Sequence, residues 1–74
     1  NASTTIAFDL PTQQDVSLCL YDCLGKCQRI LLQKELPAGQ YHLSLYADQL
    51  PSGLYFLRLE TTSFVGLRKL MVVR

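Results

Sequence analysis

The chain has 74 residues and a mass of 8.4 kDa, enough for one domain. Seven Lys/Arg against six Asp/Glu leave a net charge of +1, which excludes the basic footprint of a nucleic-acid binder. A hydrophobic content of 49% excludes the profile of a disordered chain, yet no apolar run approaches the ~18 residues of a spanning helix. The chain opens on Asn1 with neither an initiator methionine nor a basic-then-apolar leader, so it reads as a piece cut from a longer protein.

The chain reads as short alternating runs between polar turns, without an internal repeat. Thr4 to Leu10 alternates, with Ile6, Phe8 and Leu10 on one side, and Pro11 ends it because proline has no N–H for a ladder. Thr12 to Asp15 reads as a turn. Val16 to Leu20 alternates again, with Val16, Leu18 and Leu20 inward. Tyr21-Asp22-Cys23-Leu24-Gly25-Lys26 is a hairpin connection in which Gly25 can take positive φ. Cys27 to Gln33 is a third run, blurred by the continuous Ile30-Leu31-Leu32. Gly25 to Leu36 is the nearest helical rival, but a lone helix there would interrupt a regular meander.

Lys34 to Gly39 is a loop punctuated by Pro37 and Gly39. Gln40 to Ala47 alternates well: Tyr41, Leu43 and Leu45 face one way, His42, Ser44 and Tyr46 the other. Asp48 to Gly53 turns the chain into Leu54–Glu60, where Tyr55, Leu57 and Leu59 share a face. After Thr61-Thr62-Ser63, the last run is Phe64 to Val73. Six strands, with room for a short seventh, predict an all-β fold: an immunoglobulin-like β-sandwich of six to seven antiparallel strands. Arg29, Lys34, Arg68 and Lys69 are placed to guard exposed edges.

Catalytic chemistry is sparse. The lone His42 sits on an outward face, without the second ligand a metal needs or the partners of a triad. The carboxylates are scattered, and Asp22 and Asp48 suit hydrogen bonds to their own turn backbones. The four glycines are isolated, so none forms a phosphate-binding loop. Cys19, Cys23 and Cys27 fall on strand, turn and strand. Three free thiols are the leading reading; Cys19 and Cys27 placed across the hairpin from each other would allow a tight disulfide. No metal and no cofactor are expected, and the pattern argues against an enzyme.

Read end to end, the chain resembles the C-terminal sorting domain (type A) of proteins exported by the type IX secretion system of Bacteroidetes. That family is similar in look to the immunoglobulin-like domain of flagellar hook-capping proteins. Thr4 to Pro11 fits the opening strand. Val16 to Leu20 followed by Tyr21, Asp22, Gly25 and Lys26 fits the V-x-L-x-V-Y-D-x-x-G-[RK] segment, with Leu20 for the second valine. Leu36-Pro37-Ala38-Gly39 fits the L-x-A-G turn, and Leu50 to Leu59 fits L-x-S-G-[VL]-Y-F-x-[RK]-[LI]. Arg68-Lys69-Leu70-Met71-Val72-Val73-Arg74 fits the closing basic-then-apolar strand. The chain departs from the pattern at Asn1-Ala2, where asparagine-proline is usual, at Gln28, where an apolar residue is usual, and in having three cysteines.

The resemblance implies that residues 1–74 are the sorting domain of a larger secreted protein. The domain would direct its parent, after transit through the periplasm, across the outer-membrane translocon. A surface sortase would then remove it, leaving the parent at the cell surface or released. Translocon and sortase are the partners implied, and an exposed edge strand also allows a homodimer. The signal residues would be Gly53 and Tyr55, the family's G-x-Y, together with Arg68, Lys69, Leu70, Met71, Val72, Val73 and Arg74; Tyr21, Asp22, Gly25 and Gly39 would be turn motifs. Each has a plain structural reading beside the signalling one: Gly53 as a turn glycine, Tyr55 as a core tyrosine, Leu70 to Val73 as core. The rival function is an immunoglobulin-like spacer that is never cleaved. A carbohydrate-binding sandwich is disfavoured, since tryptophan is absent and only Tyr46 and Phe56 look outward.

Overall fold

The computed structural model describes residues 3–73 and places them in six antiparallel strands. These are β1 (Ser3–Leu10), β2 (Gln14–Asp22), β3 (Cys27–Leu36), β4 (Gly39–Tyr46), β5 (Gly53–Thr61) and β6 (Val65–Val72). Strands β1 and β4 form one sheet; the other has the order β3-β2-β5-β6. The two sheets share one core, the layout expected of an immunoglobulin-like sandwich. Arg74, assigned to the closing strand from sequence, lies outside the described residues.

Alternation places the core. Leu18 and Leu20 of β2 are fully buried, with Tyr55 and Leu57 of β5 and Val72 of β6 beside them on the same face of the larger sheet. Ile6 of β1 and Leu45 of β4 cover them from the smaller sheet. A second cluster of Leu10, Val16 and Leu36 closes one end, capped by Phe8 and Tyr41, whose rings stack at 5.3 Å across the β1–β4 pair. On the β3 side the sheets are tied by Arg29, whose Nη1 donates to the Tyr46 carbonyl at 2.7 Å. On the opposite side β1 runs over β6, and a cleft of about 160 Å³ is left between them.

The Ile30-Leu31-Leu32 run is strand, and its blurred alternation has a structural cause. Register shifts between Leu18 and Cys19 and between Leu20 and Tyr21 mark irregularities in the β2–β3 pair. A bulge lets successive apolar residues share duties between faces: Leu31 and Leu32 pack on the core while Ile30 stays exposed. The β2–β3 register, set at the hairpin by Tyr21 facing Cys27, also overturns the placement of Cys19 opposite Cys27. Cys19 faces Ile30 and Cys27 faces Tyr21, and all three thiols are free.

Strand boundaries move, and β2 also takes in Tyr21 and Asp22 from the hairpin connection. Gln14 and Asp15, read as turn, belong to β2, because Gln14 is buried with its amide engaged. Its Nε2 donates to the Thr12 carbonyl at 3.3 Å and its Oε1 accepts from Ser63 Oγ at 2.9 Å. Strand β3 continues through Leu36, which the second cluster buries.

The chain also contains a short internal repeat, contrary to the reading from sequence. Leu36-Pro37-Ala38-Gly39-Gln40-Tyr41 recurs as Leu50-Pro51-Ser52-Gly53-Leu54-Tyr55. In each copy the leucine is buried, the glycine opens a strand, and the tyrosine hydroxyl returns to the proline carbonyl four residues back. Gly39 and Gly53 have φ of +152° and +158°, values that L-residues rarely adopt.

Candidate functional site

The sequence-assigned residues fall into three structural groups. The first is the β2–β3 turn. Asp22 Oδ1 accepts the backbone N–H groups of Leu24 and Lys26, both at 2.9 Å, and its Oδ2 accepts Gln28 Nε2 at 2.8 Å. These hydrogen bonds favour the ionised carboxylate. They hold Asp22 below the usual carboxylate range, the Lys26 N–H contributing most. Gly25, at φ +87°, completes the loop. Gln28, the departure from the family's apolar pattern, therefore serves as a second clasp on Asp22. The loop presents Leu24, which is 90% exposed.

The second group is the pair of proline–glycine–tyrosine corners. Tyr55 is buried and its hydroxyl donates to the Pro51 carbonyl at 2.7 Å; Tyr41 donates to Pro37 at the other corner. Gly39, Gly53 and Tyr55 thus hold strand entries in place.

The third group is β6. Its partner is β5, through pairs that run from Gly53–Val72 to Glu60–Val65. Among the described residues nothing pairs with its other edge. Gly66, Arg68, Leu70 and Val72 point toward the smaller sheet; Val65, Leu67, Lys69 and Met71 alternate with them on the outer face. The reading of Leu70 to Val73 as core holds for two of the four. Val72 is buried and Leu70 half-buried, but Met71 is 63% exposed and Val73 is exposed too. A run apolar on both faces cannot all be core on an edge strand.

Arg68 and Lys69 are both exposed and form no ion pair with a described residue. On β5, Arg58 is paired with Glu60 at 3.2 Å. The outer face beside β6 carries a shallow hollow lined by Tyr21, Phe56, Arg58 and Leu67. Tyr21, assigned to the turn, thereby also belongs to this face.

Sequence reasoning missed Gly66 and Leu67, which stand just before the assigned stretch. The available signal was a glycine inside a strand pattern, a mark of close approach by another group. His42 is exposed on β4 opposite Ala7. Among the described residues no cluster of His, Cys, Asp and Glu could hold a metal ion.

A sandwich with a basic, partly apolar and unpaired edge strand is a shape suited to recognition by other proteins. The family model described as secretion system C-terminal sorting domain matches residues 1–73, and the chain belongs to that family. The family is that of type IX secretion sorting signals, which ties the chain to export to the cell surface or beyond and to the type IX machinery. It is not an enzyme family. Among curated proteins and among solved structures, none matches the chain significantly.

Proposed function

We propose that residues 1–74 are the terminal sorting signal of a larger secreted protein, read by the outer-membrane translocon through β6 and then removed by a surface sortase. The parent passes through the periplasm first. The observation that carries the reading is the state of β6: a strand that, among the described residues, has one unpaired edge and two cations without an ion pair, with exposed apolar side chains on its outer face. Free strand edges bind extended segments through main-chain hydrogen bonds, while pockets for alternate side chains supply selectivity. Gly53 and Tyr55 act in this reading by holding β5, the strand on which β6 is built. The same free edge is where a second copy would pair.

The test is a periplasmic reporter carrying this domain at its carboxy terminus in a type IX-competent bacterium. Surface or secreted reporter, lost on removal of residues 70–74, supports the reading. Reporter retained in the periplasm sinks it and favours an uncleaved spacer.

A further inference from the structure

Gly66 is a glycine with no conformational reason to be one. Its φ is not positive, and a Cβ added there would meet nothing within 4 Å. A glycine within a strand gives up backbone entropy and side-chain packing that alanine would keep. It lies on the face that looks into the sandwich, opposite Leu59. Above it opens the cleft between β1 and β6, walled by Ile6, Leu18, Leu57 and Leu59, with Arg68 at the rim. The core is therefore incomplete at one point, and that point lies on the free edge.

We propose that β6 is a template for one kind of strand from a partner protein. That strand has a bulky apolar residue opposite Gly66, which fills the cleft, and carboxylates opposite Arg68 and Lys69. On the outer face, small apolar residues would meet Leu67 and Met71. Charge selects this occupant over a second copy. Two β6 strands pairing antiparallel about their centre would bring Arg68 and Lys69 against Arg68 and Lys69, and like charges directly opposite are destabilising. An acidic strand turns the same positions into attractive pairs. This assignment rests on the reading of β6 as the recognised edge.

The experiment uses the 74-residue chain and a capped probe peptide, Val-Val-Glu-Glu-Val-Leu-Thr, written to lie antiparallel along β6 with its leucine opposite Gly66 and its first valine opposite Met71. Binding is followed by calorimetry, and folding by thermal melts. Gly66→Val keeps the fold and weakens the probe at least about tenfold, the scale of losing one apolar side chain from its pocket. A probe with glycine for leucine weakens comparably on the wild-type chain. Arg68→Glu with Lys69→Glu abolishes the probe and favours one with lysines for glutamates.

No probe binding to the wild-type chain, equal binding to Gly66→Val, or a chain that only dimerises overturns the template. The reporter fusion separates this from the sorting reading. If the wild-type fusion stays in the periplasm while the probe behaves as stated, sorting fails and the template stands. If Gly66→Val is exported as well as wild type, the template fails and sorting stands.

Discussion

The Tyr55 hydroxyl donates to the Pro51 carbonyl oxygen at 2.7 Å, and the same bond joins Tyr41 to Pro37. Each bond closes a corner around a glycine with φ near the limit of what only glycine adopts comfortably. Gly53 and Tyr55 are thus a mechanical element of this chain: the hydroxyl anchors the chain that enters β5, and β5 carries β6. Tyr55→Phe should lose about 1 kcal/mol, the usual net worth of one hydrogen bond. Tyr41→Phe, at the exposed corner, should lose less. Urea denaturation of both variants checks the order; equal or reversed losses would contradict it.

The glycines should divide into two classes. Gly39→Ala and Gly53→Ala place a Cβ at φ of +152° and +158° and should each cost about 1–3 kcal/mol. Gly66→Ala meets open space at an ordinary φ and should be neutral or stabilising by up to about 1 kcal/mol. Melting temperatures of the three variants would show the split, and a destabilised Gly66→Ala would refute it.

Leu20 is fully buried and Met71 is mostly exposed. Leu20→Ala should cost about 2–5 kcal/mol through lost transfer energy and the cavity left behind. Met71→Ser should stay within about 0.5 kcal/mol of wild type, as surface changes do. If β6 is the recognised strand, Met71→Ser should nevertheless reduce surface reporter. Normal export of this stable variant would remove Met71 from the recognised surface.

The Asp22 clasp predicts an acid limb. Its carboxyl is held below the usual range by the Lys26 N–H, Gln28 and the Leu24 N–H. A carboxylate with a depressed folded pKa lends stability above its unfolded pKa of about 3.9, and that stability is lost as pH falls through the folded value. An NMR titration should place the Asp22 midpoint below that of an unstructured aspartate. Gln28→Ala should move it upward, and no movement would mean that Gln28 does not hold the carboxylate.

Thiol reactivity should follow exposure. Cys23 and Cys27 are exposed and Cys19 is half-buried between β3 and β5 neighbours. An aromatic disulfide reagent should modify two thiols quickly and the third slowly. Three equal rates would contradict the placement of Cys19.

Alternation in the sequence determined the strands, their order along the chain and most of their faces, because a period of two is a local property. Ile6, Leu18, Leu57 and their neighbours could be placed inward before any strand was paired. The repeat from Leu36 to Tyr41 and from Leu50 to Tyr55 escaped a reading by alternation, because the tyrosine-to-proline bond that gives it meaning exists only once each corner folds. Tertiary structure alone decided which strands stand at the edges. The hairpin register separated Cys19 from Cys27, because Tyr21 is the residue that faces Cys27, and spacing alone cannot reveal where a hairpin closes. Likewise, Leu70 to Val73 has no local phase, so only the pairing of β6 with β5 settles that Val72 is core while Met71 faces out. Gly66 shows the same limit. Its composition is visible in the sequence, but the empty space above it belongs to the gap between two sheets.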